Sequence, residues 1–476
     1  MNVMPPRPGS DQRGAILIHV AIAMIALLAF GALVIDYGVM WASRRQAQNS
    51  ADAAALAAAS SMAFDAPKDY NRARDGGKAV GELNRVFGAA PNITAGSGSS
   101  PDITQDISFP TCPPGAPGPP DTCVRVNVYR NDQAQGGFAQ KDPLPSFLGR
   151  LFGRTTQGVR ATATAQILMA DSSDCMKPWG IADKWGERIE CSDYHNNGSC
   201  QGTWQASDTW TVDKTFDKYY NGALNPNIPD IDTSTPGPDY DYYDDTTGYK
   251  PFNEDGTLGP DYGLILQLKQ GSGGGPNERY SSGWFQKLDL PCGDNEDCPA
   301  NSGADKYRWQ IQNCIQVPID IGDSVTFDNQ TGNTTGPTSQ ATYSATGQQP
   351  LSLWERDPTA RWNPTAKRIE NSCASPGRVC ADGLSYTQSP RIVAVPTFNL
   401  DQYLAADPSG GGQTVTVTDI LGFFVLSPAE AQALGKDLGP GNPNDSVFGV
   451  LVSVPGKYSG NGTSTSSFLR TVILVR

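Results

Sequence analysis

Only two histidines occur in the 476 residues, which leaves few places for acid–base chemistry near neutral pH. His19 lies inside an apolar run. His195 stands between Cys191 and Cys200 in the string Tyr194-His195-Asn196-Asn197-Gly198. A Ser-His-Asp or Cys-His arrangement needs its base oriented by a third group, and a short loop between two cysteines offers none. A zinc site built from Cys191, His195 and Cys200 has little more support, because a loop histidine is usually just solvated. No GxGxxG opens a helix and no GxxxxGK[ST] is present, so nothing points to nucleotide binding. Acids are numerous, but no single pair is marked out as a hydrolytic dyad. The reading is that no residue is catalytic and no cofactor is bound.

One acidic stretch stands apart: Asp230, Asp232, Asp239, Asp241, Asp244 and Asp245, with Asp255 and Asp261 nearby. Calcium takes about six to eight oxygens, and flexible Asp/Gly/Thr loops supply them. No EF-hand or repeat pattern accompanies these aspartates. A solvated acidic loop with interleaved Tyr240, Tyr242 and Tyr243 is therefore preferred over a calcium site. Tyr-rich polar loops also make good protein contacts. The net charge of -13 and pI of about 4.7 repel phosphate backbones, which argues against nucleic acid as a partner.

The ten cysteines all lie beyond residue 110. Their spacing suggests clips across loops: Cys112 with Cys123, Cys191 with Cys200, Cys292 with Cys298, and Cys373 with Cys380. That leaves Cys175 and Cys314 for each other, although spacing alone leaves other connectivities open. None forms a CxxC pair. An even count in Gly/Pro/Asn-rich loops implies an oxidising compartment, so the body that carries them is expected outside the cytoplasm.

The element that must hold such a body is at the N-terminus. Ala15 to Ile35 is an apolar run of 21 residues, interrupted by His19 and softened by Gly31. As a helix it would span about 30 Å, the thickness of a bilayer core. A cleaved signal has a shorter run and an A-x-A site. Here the run passes into Asp36-Tyr37-Gly38 and further helix, so an anchor is expected. Arg7 and Arg13 on one side nearly balance Arg44 and Arg45 on the other. The cysteines break the tie in favour of N-inside, C-outside. From Met40 to Met62 there is neither Pro nor Gly. Ala47, Ala51, Ala54 and Ala58 recur on one helical face, to pack against the chain's own sheet or, as the sharper alternative, a partner helix.

Arg13-Gly14, the apolar run, Asp36-Tyr37-Gly38 and the string from Arg44 through Gln48-Asn49-Ser50-Ala51-Asp52 to Ala59 together resemble the N-terminal region of TadE/TadG-like proteins of the Tad (Flp) pilus-assembly system. The likeness continues more loosely through Val124–Val128, Phe147-Leu148-Gly149-Arg150-Leu151-Phe152-Gly153 and Val159–Ala165, covering about residues 10–170. It implies a strand, a short helix and an Ala/Thr strand in that order, forming a small pilin-like head. Beyond it, Cys175–Trp179, Ile321–Asp323, Gly332–Thr338, Asp357–Trp362 and Pro390–Pro396 resemble a recurrent extension of TadG-like proteins. Two departures stand out. Prepilin processing after Gly14, giving Ala15 as first residue, would expect Glu where this chain has His19, so an uncut anchor is preferred. The adhesion domain of many relatives, with a DxSxS metal site, is absent: Asp171-Ser172-Ser173-Asp174-Cys175 lacks the second serine.

Along the body, Pro67–Ala90 reads as a second helix weakened by Gly76, Gly77 and Gly81. Residues 102–109 and 123–130 read as strands, 144–153 as a helix and 158–169 as a strand. Further strands are expected at Tyr262–Lys269, Val317–Phe327, Arg391–Phe398, Thr414–Leu426, Phe448–Val454 and Phe468–Val475, with polar loops at 225–260 and 328–350. The expected class is α+β: a long membrane helix, a small α/β head, and a large irregular, sandwich-like β body with disulfides. The segments would be a cytoplasmic leader 1–14, the helix and its Ala-rich extension 15–63, the head 64–170 and the body 171–476. The resemblance implies a non-enzymatic, single-pass component of a Tad/Flp pilus apparatus in the inner membrane. Its partners would be the membrane and other pilus or envelope proteins, with no small-molecule substrate. The alternative is an anchored, adhesin-like surface-binding protein.

Overall fold

Alanine is the best helix former, and the stretch that follows the apolar run is rich in it. One helix, α1 (Arg13–Ser60), therefore runs unbroken through both before loosening into a π-turn at Ser61–Asp65. The computed structural model describes residues 13–65, 69–96, 105–131, 142–147, 149–189, 210, 216, 239–244, 246–253, 256–270, 281–294, 296–299, 303–328, 335–344, 351–371, 389–405, 413–438, 446–458 and 467–475.

The expected second helix is shorter than its sequence pattern. It is α2 (Tyr70–Leu83), capped at its start by the Asp69 carboxylate, which accepts from the Arg72 amide at 3.1 Å. The turn at Phe87 and Gly88, both at positive φ, carries the chain away after it. The glycines that seemed to weaken this helix are its contact surface. Cβ atoms added at Gly77 and Gly81 would lie 3.0 Å from the Cβ of Ala58 and of Ala54 respectively. The Ser50 hydroxyl also donates to the Gly81 carbonyl at 2.8 Å. Two helices can approach this closely only where both present small residues.

Against α1 lies an antiparallel sheet that begins with β1 (Ile107–Ser108), β2 (Cys123–Arg130) and β3 (Val159–Met169). Val124, Val126 and Val128 alternate into one core with Ala161, Ala163, Ala165 and the buried alanines of α1. Cys112 and Cys123 form a disulfide, Cα to Cα 5.2 Å, that closes the Pro/Gly connector onto β2. The expected helix over 144–153 is instead a short bridge, Leu144–Pro145 with Thr156–Gln157, enclosing one 3-10 turn at Gly149–Phe152. Pro145, Gly149 and Gly153 in this stretch disfavour a longer helix.

The body's sheet contains β4 (Trp179–Ala182), β5 (Ile265–Gln270), β6 (Trp284–Lys287), β7 (Ser324–Thr326), β8 (Ile392–Phe398), β9 (Thr414–Leu426) and β10 (Ser446–Leu451). Its order is β7-β9-β8-β4-β6-β5-β10, and β10 pairs again with β9, so six strands close into a barrel with β7 appended. Closure depends on close approach of backbones at β9, where a Cβ at Gly422 would fall 1.9 Å from the Val452 carbonyl oxygen. Alternate residues feed two separate cores: Trp179, Ile181, Leu266, Leu268, Val393 and Val395 in one, Ala182, Trp284, Ala394 and Phe398 in the other. Burial on both faces explains why strands such as β4 and β6 show no apolar/polar alternation. Disulfides join Cys175 to Cys314 (Cα to Cα 4.2 Å) and Cys292 to Cys298 (5.9 Å). Cys191, Cys200, Cys373 and Cys380 lie outside the described residues.

The strand expected to close the body at the C-terminus does something else. After β11 (Val454–Pro455), β12 (Leu469–Val475) pairs antiparallel with β3, giving the head sheet the order β1-β2-β3-β12-β11. The barrel is thus inserted between two neighbouring strands of the head.

Candidate anchoring and assembly site

The large apolar side chains of the first half of α1 point away from the rest of the chain. Ile16, Leu17, Ile22, Ile25, Leu27, Leu28, Phe30 and Leu33 are all well exposed. The helix is long and apolar enough to cross a membrane, and its most apolar window is 0% buried by the rest of the chain. A soluble core helix would be covered, so the bare surface asks for an apolar solvent. His19 lies exposed within this stretch, and Gly14 and Ala15 fall in the first turn of α1.

Complete burial begins at Ser43. From there Ala47, Ser50, Ala51, Ala54 and Ala58 are completely buried along one face, against α2 and the head sheet. The alanine face is therefore taken up within the chain, which leaves no open stripe there for a partner helix.

Between the bare and covered halves sits Asp36. Its Oδ1 accepts from the Phe147 amide at 2.7 Å, and its Oδ2 accepts from the Gly149 amide at 2.7 Å and the Ser146 hydroxyl at 2.9 Å. A single carboxylate thus organises the start of the 3-10 turn by charge-assisted hydrogen bonds. Asp36 and residues 147–153 both belonged to the strings that carried the family resemblance, but nothing in their spacing shows that they meet. Tyr37 and Trp41 stand exposed on the next turns, with the Arg45 guanidinium 4.9 Å from the Trp41 ring centre.

The body's strings singled out in the sequence converge on buried structural nodes. The Lys177 ammonium donates to the Asn313 carbonyl at 2.7 Å, and burial, with Arg356 adding to it, lowers its pKa to about 7. The Trp179 indole donates to the Tyr307 hydroxyl (2.9 Å), which pairs with Thr338 (3.1 Å). Arg391, fully buried, donates to the carbonyls of Asp357, Ala360 and Val425 and pairs with Glu430 at 2.7 Å. Thus the 175–179, 335–338, 357–362 and 390–396 segments tie the fold together.

The acidic stretch is only partly described. Asp230, Asp232, Asp245 and Asp255 lie outside the described residues, and Asp239 and Asp241 fall in a strand paired with Gly186–Ile189. The exposed Asp244 accepts from Thr246, whose hydroxyl and amide hold its pKa below the usual carboxylate range. Asp261 is buried and occupied by Lys184 at 2.7 Å and the Lys250 amide at 2.7 Å. Among the described residues no group of three or more acids, histidines or cysteines is placed to hold a metal ion. His195 lies outside them. The sequence did not single out Asp183 and Asp419, both buried at the barrel. Burial raises Asp183 to about 6 and Asp419 well above its ordinary value, with Asp183 adding to the latter. Asp183 directly follows β4 and Asp419 lies within β9, and no motif marks either.

An open cleft of about 980 Å³ lies where α1 meets the head sheet, lined in part by Gln48, Asp52, Arg125, Tyr129 and Arg160. Its lining holds no histidine or cysteine. No curated protein and no solved structure matches the chain. Residues 14–61, from the bare apolar half of α1 through the alanine face, match the family model described as Putative Flp pilus-assembly TadE/G-like, and it is to this family that the N-terminal segment is similar.

Proposed function

We propose that this protein is a non-enzymatic component of a Tad/Flp-type pilus-assembly or surface apparatus, anchored by α1 in the inner membrane with head and barrel outside the cytoplasm. The observation that carries the reading is the division of α1. An uncovered apolar half continues without a break into a half packed in the head, within the segment that matches the TadE/G-like family. The disulfides Cys112–Cys123, Cys175–Cys314 and Cys292–Cys298 favour an oxidising location for everything beyond the helix. Buried polar side chains committed to backbone carbonyls, as at Lys177 and Arg391, favour a scaffold over a catalyst.

Deletion of the gene tests this. Surface pili should disappear and return with the full-length chain, and a reporter fused after Arg476 should be active only outside the cytoplasm. Normal pili in the deletion strain, with attachment to surfaces lost, would replace this reading by that of an anchored adhesin.

A further inference from the structure

We propose that the loop carrying Phe147 and the Gly149–Phe152 turn is a second membrane contact: it seats the head on the surface of the same bilayer that α1 crosses, with anionic phospholipid as its partner. This rests on the anchoring reading above. The helix fixes the height. Its apolar run ends at Ile35, and Asp36 is the first charged residue after it. Whatever Asp36 holds must lie at the edge of the hydrocarbon core. It holds the loop, through the Ser146 hydroxyl and the amides of Phe147 and Gly149.

The loop's chemistry suits that height. Phe147 is 51% exposed and meets the ring of the partly exposed Phe87 edge to face, 6.3 Å between centres. Two large apolar rings turned outward at the end of an apolar helix are out of place in water. They belong among headgroups, where aromatic side chains concentrate. Trp41 lies five residues beyond Asp36, about 7.5 Å along the helix, and the headgroup layer is about 5–8 Å deep on each side. In the same loop as Phe147, Arg150 and Arg154 are both exposed, and the Arg154 amide donates to the Gly149 carbonyl at 2.9 Å. On a chain whose net charge is -13, two exposed arginines on the loop that Asp36 holds complement anionic headgroups. A rod passing through a bilayer can still tilt and spin, whereas a rod with a foot on the surface presents the head and barrel in one orientation.

The test uses the full chain in nanodiscs, with a photoreactive benzophenone side chain placed in turn at positions 147, 27 and 458. Position 27 lies in the bare helix, and position 458 is an exposed tyrosine of the body. Irradiation followed by mass spectrometry should give lipid adducts at 27 and 147 and none at 458. The yield at 147 should rise when phosphatidylglycerol replaces half of the phosphatidylcholine. Asp36→Ala should lower the 147 adduct at least about tenfold while leaving the 27 adduct unchanged, because the loop loses its tether. Adducts at 27 but not at 147, or protein rather than lipid adducts at 147, would overturn the loop contact alone. No lipid adduct at 27 would overturn the anchoring reading, and the loop contact with it.

Discussion

Asp183 shows what one buried carboxyl does to a fold. It follows β4, takes the Lys184 amide at 2.8 Å on its side chain, and is crowded by Asp261 as well as by low-dielectric surroundings. Desolvation dominates and lifts it from 3.8 to about 6. A raised folded-state value means that the native chain binds this proton more tightly than the unfolded one. The stabilisation is full below about 3.8 and is lost as pH rises through about 6. Asp419 is shifted in the same direction. Asp183→Asn should therefore flatten the pH dependence of barrel unfolding between about pH 4 and 7, and raise the melting temperature at pH 7 relative to pH 4. Melting curves at several pH values decide this, and an unchanged slope in the variant would remove Asp183 as its source.

At the scale of elements, the packing of α2 on α1 turns on which glycines touch. Gly76 has room: an added Cβ would come no closer than 3.7 Å to Ser61. Gly81 has none, with Ile93 Cδ1 at 2.5 Å and Ala54 Cβ at 3.0 Å. Gly76→Ala should stabilise the head by about 0.4–1 kcal/mol, by removing unfolded-chain freedom from a helical position. Gly81→Val should destabilise it by about 1–3 kcal/mol, by forcing the helices apart. Denaturant midpoints of the two variants, compared with the parent chain, should move in opposite directions. Equal losses would mean that the contact surface lies elsewhere.

For the molecule as a whole, the return of the C-terminus to the head makes the fold one circuit. β12 covers β3 from Met169 to Thr164, and Phe468 and Leu469 are fully buried beside it. Removing residues 467–476 should strip protection from the β3 amides 164–169 in hydrogen exchange. The barrel strands β8 and β9, which pair with each other, should stay protected. Loss of protection in both would show that the barrel cannot stand without the head. Retained protection in β3 would show that β12 is a dispensable edge.

Patterns local in sequence were enough to determine the long apolar helix and its uninterrupted continuation, the Val124-Val126-Val128 strand and β9 over Thr414–Leu426, because helix and strand are each encoded in neighbouring residues. Three of the five cysteine pairings were also legible, since short loops and the remaining two cysteines constrain the choice. What needed the tertiary structure was everything joining distant segments: Asp36 beneath Ser146, Phe147 and Gly149, Arg391 against Asp357 and Ala360, β12 beside β3, and the closing of β10 onto β9. β4 and β6 were missed for a related reason. Strands buried on both faces lose the alternation by which a strand is recognised, and only their neighbours in space reveal them. The glycines of α2 reverse their meaning in the same way, weakening an isolated helix and allowing a packed one.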